Sequence, residues 1–449
     1  MKPTFVISSP FDTYSGYGAR ARDVIKAIVK TDKYNVKLLS QRWGNTPFGF
    51  CENHSEWSFL LDLEVPQPLT QQPDIWAQIT VPNEFRPIGK YNIGFTAGME
   101  TTLVHGSWIE GMNRMNINFV SSEHSKKSFL NSVYEKQDQH RNVIGEVKVE
   151  KPIEVLFEGA DLSTYFPLTN KQIYLKQNVS LVSSLNEIPD QFCYLSVGHW
   201  MQGQMGEDRK NIGLLVKAFL ETFKNKKKRP ALILKTQQVA SSYMDRDEIL
   251  KRIKSIQKSV NSSNLPNIYL LHGEFTNEEM NLLYNHPKVK AMVSFTKGEG
   301  FGRPLLEFSL SKKPIIVSGW SGHMDFLDPK FVGAVGGTLT KVHPTAAVKD
   351  MILEESEWFS PNHGEIGHSL KDMFENYKNY TDGGKRQSYK SKNEFSWENM
   401  KSLLESRLDE LIPEFPKQVE LKLPKLDLPS LNTPKLPKLN LPKLEKNEG

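Results

Sequence analysis

Glu299 and Glu307 stand with seven residues between them in the run Gly298-Glu299-Gly300-Phe301-Gly302-Arg303-Pro304-Leu305-Leu306-Glu307. Carboxylates accept hydrogen bonds from vicinal hydroxyls in pairs, so two acids at this spacing suit a polyhydroxylated ligand. Between them lies a glycine turn. The apolar stretch Met292-Val293-Ser294-Phe295 before it reads as the end of a buried strand, and Leu305, Leu306, Phe308 and Leu310 after it read as a packed helix. A strand, a glycine turn and a helix together aim backbone N–H groups at an anion. Gly300 and Gly302 let a ligand approach the main chain, and Pro304 suits a first helical turn. Diphosphate, ribose and sugar are the groups such a pocket would hold together. A plain capping turn with a solvated glutamate has the same spacing, so the flanking sequence must decide.

Other residues offer complementary chemistry. Arg209 and Lys210 precede a helix expected from Asn211, and cations at a helix start make a seat for a diphosphate. Gly198-His199 follows an apolar run, and Lys235 ends another. Near the N-terminus, Ser15-Gly16-Tyr17-Gly18-Ala19-Arg20 partly imitates a dinucleotide-binding fingerprint. That rival requires an acid at the end of the second strand to hold a ribose, and Gln41 stands there instead. Glu100, His105 and His124 follow expected strand ends in the first half. The remaining histidines form no paired-ligand pattern, and Cys51 and Cys193 lie far apart, so no metal site is expected.

Several of these segments together resemble the retaining glycosyltransferases of the GT-B fold, in the glycogen-synthase-like family 4 group. Glu299 and Glu307 match that group's paired-glutamate signature. Leu271-His272-Gly273-Glu274-Phe275 with Leu282-Leu283-Tyr284, and Lys313-Pro314-Ile315-Ile316-Val317 with Gly319-Trp320-Ser321-Gly322-His323, resemble its flanking runs. Val197-Gly198, Arg209-Lys210-Asn211, Gly159-Ala160-Asp161 and Phe166-Pro167 resemble further segments, so the likeness covers about 155–330. It implies a donor nucleotide sugar, no cofactor and retention of anomeric configuration. Glu307 would hold ribose. Glu299, with Gly300, Phe301, Gly302 and Arg303, would hold the donor sugar. Lys210 matches the group's diphosphate lysine, with Arg209 beside it; the usual arginine after Gly198 is replaced by His199. Gly16 and Gly18 would approach the diphosphate. A histidine often contacts the transferred sugar; His105 is the preferred candidate and His124 the alternative, which could equally belong to a helix cap.

The surrounding elements must position these groups. Apolar runs at Thr4–Ser9, Asn35–Ser40, Tyr91–Phe95, Ile117–Ser121, Val155–Phe157, Phe192–Val197, Ala231–Lys235, Ile268–Leu271, Ala291–Phe295 and Pro314–Val317 read as strands. Helical stretches at Ala19–Val29, from Glu123, and near 211–225, 244–260, 277–285 and 303–311 alternate with them. Alternation of this kind predicts an α/β fold with parallel sheets. In GT-B terms it means two Rossmann-like, doubly wound domains facing a cleft: residues 1–167 on the acceptor side, 168–394 on the nucleotide-sugar side, and a helix over 395–412 crossing back. Residues 131–150 read as a loop or ragged helix, and 168–190 as an insertion. From 413 to 449 recurrent Leu-Pro-Lys-Leu units predict an extended or disordered tail, a possible docking segment.

Composition narrows the class further. In 449 residues there is room for two cores, and no run approaches the ~18 apolar residues of a membrane span. Met1–Pro10 reads as a first strand rather than a signal peptide, and the few cysteines suit a reducing, cytoplasmic setting. A net charge of +5 permits an anionic substrate without requiring nucleic acid. Acceptor chemistry (glycan, protein, lipid or modified nucleobase) is open, as are a nucleotide-sugar epimerase or hydrolase and a non-catalytic binding protein working through the tail.

Overall fold

Near-continuous apolar runs separated by helical segments build two parallel sheets. A computed structural model describes residues 2–66, 68–140, 142–238 and 242–415. In chain order the strands are β1 (Thr4–Ser9), β2 (Asn35–Ser40), β3 (Ile75–Ile79), β4 (Tyr91–Phe95), β5 (Ile117–Val120), β6 (Tyr134–Gln137), β7 (Val143–Val147) and β8 (Ile153–Val155). They continue as β9 (Cys193–Val197), β10 (Ala231–Lys235), β11 (Ile268–Leu271), β12 (Val289–Ser294), β13 (Ile315–Ser318), β14 (Gly333–Val335), β15 (Gly337–Lys341) and β16 (Glu357–Pro361). One six-stranded sheet runs β2-β1-β3-β4-β5-β8 and the other β11-β10-β9-β12-β13-β14. Their paired strands are parallel throughout, and the strand order reverses beside β1 and β9. Ligands in such sheets lie beyond the carboxyl ends of the strands, near the reversal.

Burial follows from sequence. Cys193, Tyr194 and Leu195 of β9 are fully buried because helices cover both faces of that sheet, which gives it one core on each side. A separate core under the first sheet gathers Val6, Trp76, Phe85, Trp108 and Phe129. The helix Gly16–Lys30 starts earlier than the sequence pattern suggests, because Ser15 caps it by accepting from the Gly18 amide. Gly18 is required there: a Cβ would stand 2.4 Å from the Thr13 carbonyl oxygen.

Several expectations are corrected. Residues 131–150 include an antiparallel hairpin, β6–β7, instead of a loop or ragged helix. Its residues are mostly exposed, Val143 and Ile144 among them, so no buried face imposes an apolar period on it. The 168–190 segment contains two helices, Asn170–Tyr174 and Ser180–Glu187, whose Ile173, Val182 and Leu185 are buried. Strand β3 and the hairpin β15–β16 were not anticipated. The helix Trp397–Leu411 packs on Gly16–Lys30: Lys33 pairs with Glu405 and Asp409, and Lys26 and Lys30 sit over the Trp397 ring. The Leu-Pro-Lys-Leu repeats lie outside the described residues. Among the described residues no helix is long and apolar enough to cross a membrane.

Candidate active site

The turn after β12 is built for close approach. A Cβ on Gly298 would stand 1.9 Å from the Glu100 carbonyl oxygen, and one on Gly300 would stand 2.7 Å from that of Ala97. The Ser121 hydroxyl donates to the Gly300 carbonyl at 3.1 Å. Glycines therefore let the second-sheet turn press against the carboxyl ends of β4 and β5. Gly302, with φ +96°, opens the short helix Arg303–Ser309, which has Pro304 in its first turn and no side-chain cap.

That contact holds a charged cluster. The Lys210 ammonium donates to both Glu299 carboxylate oxygens, at 2.6 and 2.7 Å. Arg209 lies 3.5 Å from Glu299 and 3.3 Å from Glu100, and donates to the Gly298 carbonyl at 3.0 Å. Glu299 is only 7% exposed. Burial by itself raises its pKa, but Lys210 and Arg209 outweigh burial and hold the carboxyl down to about 2. Burial pushes the Lys210 ammonium down, with Glu299 opposing. The Glu299 amide donates to the Ser321 hydroxyl at 2.9 Å, and the Gly322 amide donates to the Glu299 carbonyl at 2.9 Å, which fixes the turn. Gly198, at φ +153°, passes beside the Lys210 side chain; a Cβ there would meet Lys210 Cδ at 3.6 Å.

Glu307 sits one turn into the helix Arg303–Ser309, in a different environment. Arg303 donates through Nε to it at 2.9 Å, and the Tyr284 hydroxyl donates at 3.4 Å. Arg303 also reaches Asp23 at 2.5 Å, an acid carried by the first-sheet helix Gly16–Lys30. Burial raises the Glu307 pKa, and Arg303 and Tyr165 only partly oppose it. Nearby, Arg20 donates to the Leu156 and Phe157 carbonyls, and burial raises Glu158. Three acids, Asp23, Glu158 and Glu307, therefore share two arginines, which is why burial wins at Glu307 and loses at Glu299. Two acids whose surroundings drive their ionisation apart suit two different tasks.

The remaining candidates divide. Gly16 opens its helix with free space around it, whereas Gly18 is wedged against Thr13 and Pro10. Phe301 is buried against Phe326, so its ring serves the core. Lys235 is committed to the Gly273 carbonyl at 2.6 Å and to the Phe275 ring. His105 is not brought to the acid pair by any described contact. It caps the helix Gly106–Asn113 by accepting from the Ser107 amide, and its Nε2 lies 3.5 Å from Asp350. The cap once open to His124 belongs to Ser122 instead. His124 packs edge-on against Trp320, and burial, then His323 and Lys127, pull it down to about 4.

Sequence reasoning missed Asp23, Tyr284, Ser321 and His323 as members of the cluster. His323 is fully buried, and its Nε2–H donates to the Ser318 carbonyl at 2.7 Å. Its run, Gly319–His323, had been noticed as a loop, but only folding sets it under Glu299.

No protein-family model matches this chain, and no curated protein matches it by sequence. Solved structures do match in shape. Alr3699/HepE of Anabaena, in complex with UDP and glucose, superposes with TM-score 0.58 at 11% identity, over 91% of this chain and 100% of that one. A glycosyltransferase from Rickettsia africae gives TM-score 0.59 at 14% identity, over 92% and 100%. Sucrose-phosphate synthase from Thermosynechococcus elongatus gives 0.57 at 12% identity, over 92% and 99%. The α/β architecture with two parallel six-stranded sheets is that of the GT-B fold.

Proposed function

We propose that this chain is a glycosyltransferase that moves a sugar from a nucleotide-diphosphate sugar to an acceptor hydroxyl with retention of configuration. The observation that carries the reading is Glu299, held ionised between Lys210 and Arg209 on a glycine turn pressed against the first sheet. The fold is shared with proteins whose structures hold UDP and glucose, which supports a donor of that class. In the reaction the bond between the anomeric carbon and the diphosphate oxygen breaks, and the diphosphate leaves with the electron pair. The acceptor oxygen forms the new bond from the same face, and its proton passes to the departing phosphate oxygen.

Each residue has a part. Lys210 and Arg209 face the charge that grows on the leaving diphosphate; fixed donors of this kind are worth ~3 kcal/mol each. Glu299 exchanges Lys210 for hydroxyls of the donor sugar as the diphosphate claims that ammonium. The amides of Phe301 and Gly302 complete the sugar's seat. Glu307 takes the ribose hydroxyls once Arg303 yields its oxygen. Contact between the turn and the ends of β4 and β5 excludes water and aligns the acceptor.

Calorimetry against a panel of nucleotide-diphosphate sugars, followed by turnover with and without acceptor, tests this. One donor should bind, and its consumption should accelerate when acceptor is added. Donor consumption equally fast without acceptor would assign hydrolysis or epimerisation instead.

A further inference from the structure

Away from the acid pair, a cavity of about 510 Å³ opens between the segment 162–167, the end of the helix Arg303–Ser309 and the helix Tyr377–Glu394. Leu162, Tyr165, Pro167 and Leu310 give it an apolar lining, and Phe166 and Tyr389 stand at its mouth with 40% and 73% of their surface exposed. Lys312, Lys385 and Lys392 also line it, all exposed, and among the described residues none of the three pairs with a carboxylate. The helix Tyr377–Glu394 carries Lys378, Lys385, Arg386, Lys390 and Lys392 against only Asp382 and Glu394. Apolar lining, protruding aromatic rings and unpaired lysines are what a protein offers to the boundary between lipid headgroups and acyl chains.

We propose that this face docks on a bilayer containing anionic phospholipid. The lysines meet headgroup phosphates, and Phe166 and Tyr389 enter the interface. Charge complementarity selects this occupant over the chain's own C-terminal segment: residues 416–449 hold seven lysines against four acids, and would be repelled by three more lysines. A compact cavity, rather than a long groove, also fits lipid better than an extended acidic peptide. The inference is independent of the proposed sugar transfer, because its readout is binding alone.

Co-sedimentation of the full chain with phosphatidylcholine vesicles, with and without phosphatidylglycerol, tests it. Binding should require phosphatidylglycerol and weaken as salt rises. The combined change Lys312→Glu, Lys385→Glu and Lys392→Glu should reduce it by about 100-fold. The same charge change at the exposed lysines Lys226, Lys227 and Lys228 serves as the control and should cost far less. Tyr389→Ala should weaken binding at every salt concentration. Thermal melts confirm that each variant folds. The proposal falls if both triple variants lose binding equally, if changing the seven tail lysines to Gln abolishes it alone, or if wild type ignores both vesicle types. It also falls if soluble poly-glutamate binds this face while the vesicles do not, which would assign an acidic protein partner.

Discussion

At the scale of single residues, Glu299 carries the most chemistry and the clearest tests. Glu299→Gln keeps the shape and removes the charge that answers Lys210 and Arg209. Turnover should fall by about 100- to 1000-fold while affinity for the free nucleotide diphosphate changes little. Steady-state kinetics beside calorimetry check this, and an equal loss of free-nucleotide affinity would remove Glu299 from the sugar's side of the site. Its ionisation also makes a stability prediction. The folded pKa is depressed to about 2 against the ordinary 4.5, so the contribution is complete above the unfolded value. It is lost as pH falls through the range between the two, and amounts to about 3 kcal/mol. Urea unfolding of wild type should weaken across that acid range more than unfolding of Glu299→Gln; parallel curves would deny the depressed pKa.

Between elements, the helices Gly16–Lys30 and Arg303–Ser309 are joined by one bridge, Asp23 to Arg303, which also fixes Glu307. The desolvation of these charges makes the bridge a poor source of net stability, and after its loss the half-buried Arg303 guanidinium keeps Glu307 as its partner. Asp23→Ala should cost about 1–3 kcal/mol in denaturant unfolding. The change combined with Arg303→Leu should cost less than the sum of the two, because each single substitution already removes their shared contact. Additive losses would mean that the two side chains do not interact. Arg303 also covers the oxygen that ribose would need. Lys210 is similarly occupied by Glu299, so under the proposed function donor binding at both acids would be an exchange of partners rather than the filling of an empty socket.

For the molecule as a whole, the decisive feature is the contact between the glycine turn and the loop after β4. Gly298→Ala places a methyl where only 1.9 Å separates the Cβ position from the Glu100 carbonyl, and both sides of that clash involve backbone. Gly298 has no need of a left-handed backbone, so the local turn tolerates alanine and the collision is between the two sheets' layers. The variant should fold, show a larger radius in small-angle scattering, and lose transfer activity by at least about 100-fold through misplacement of the reacting groups. Unchanged scattering and activity would show that this contact is not needed for the reaction.

Sequence alone determined the α/β class and the turn that presents the two acids. Glu299, its glycines and Lys210 were legible because strand, turn and helix are local patterns and their residues are close in the chain or set beside strand ends. The β6–β7 hairpin was not legible, because its exposed strands lack the alternation that burial on one face imposes. Asp23 and Arg303 are separated by 280 positions, and no local rule links them. His105 was preferred over His124 as the sugar-contacting histidine, and only packing made the first a helix cap and set the other against Trp320. Tertiary structure also decided the ionisation of the acids. Their types and spacing are the same whether buried or solvated, but desolvation and neighbouring cations from distant segments drive Glu299 down and leave Glu307 raised.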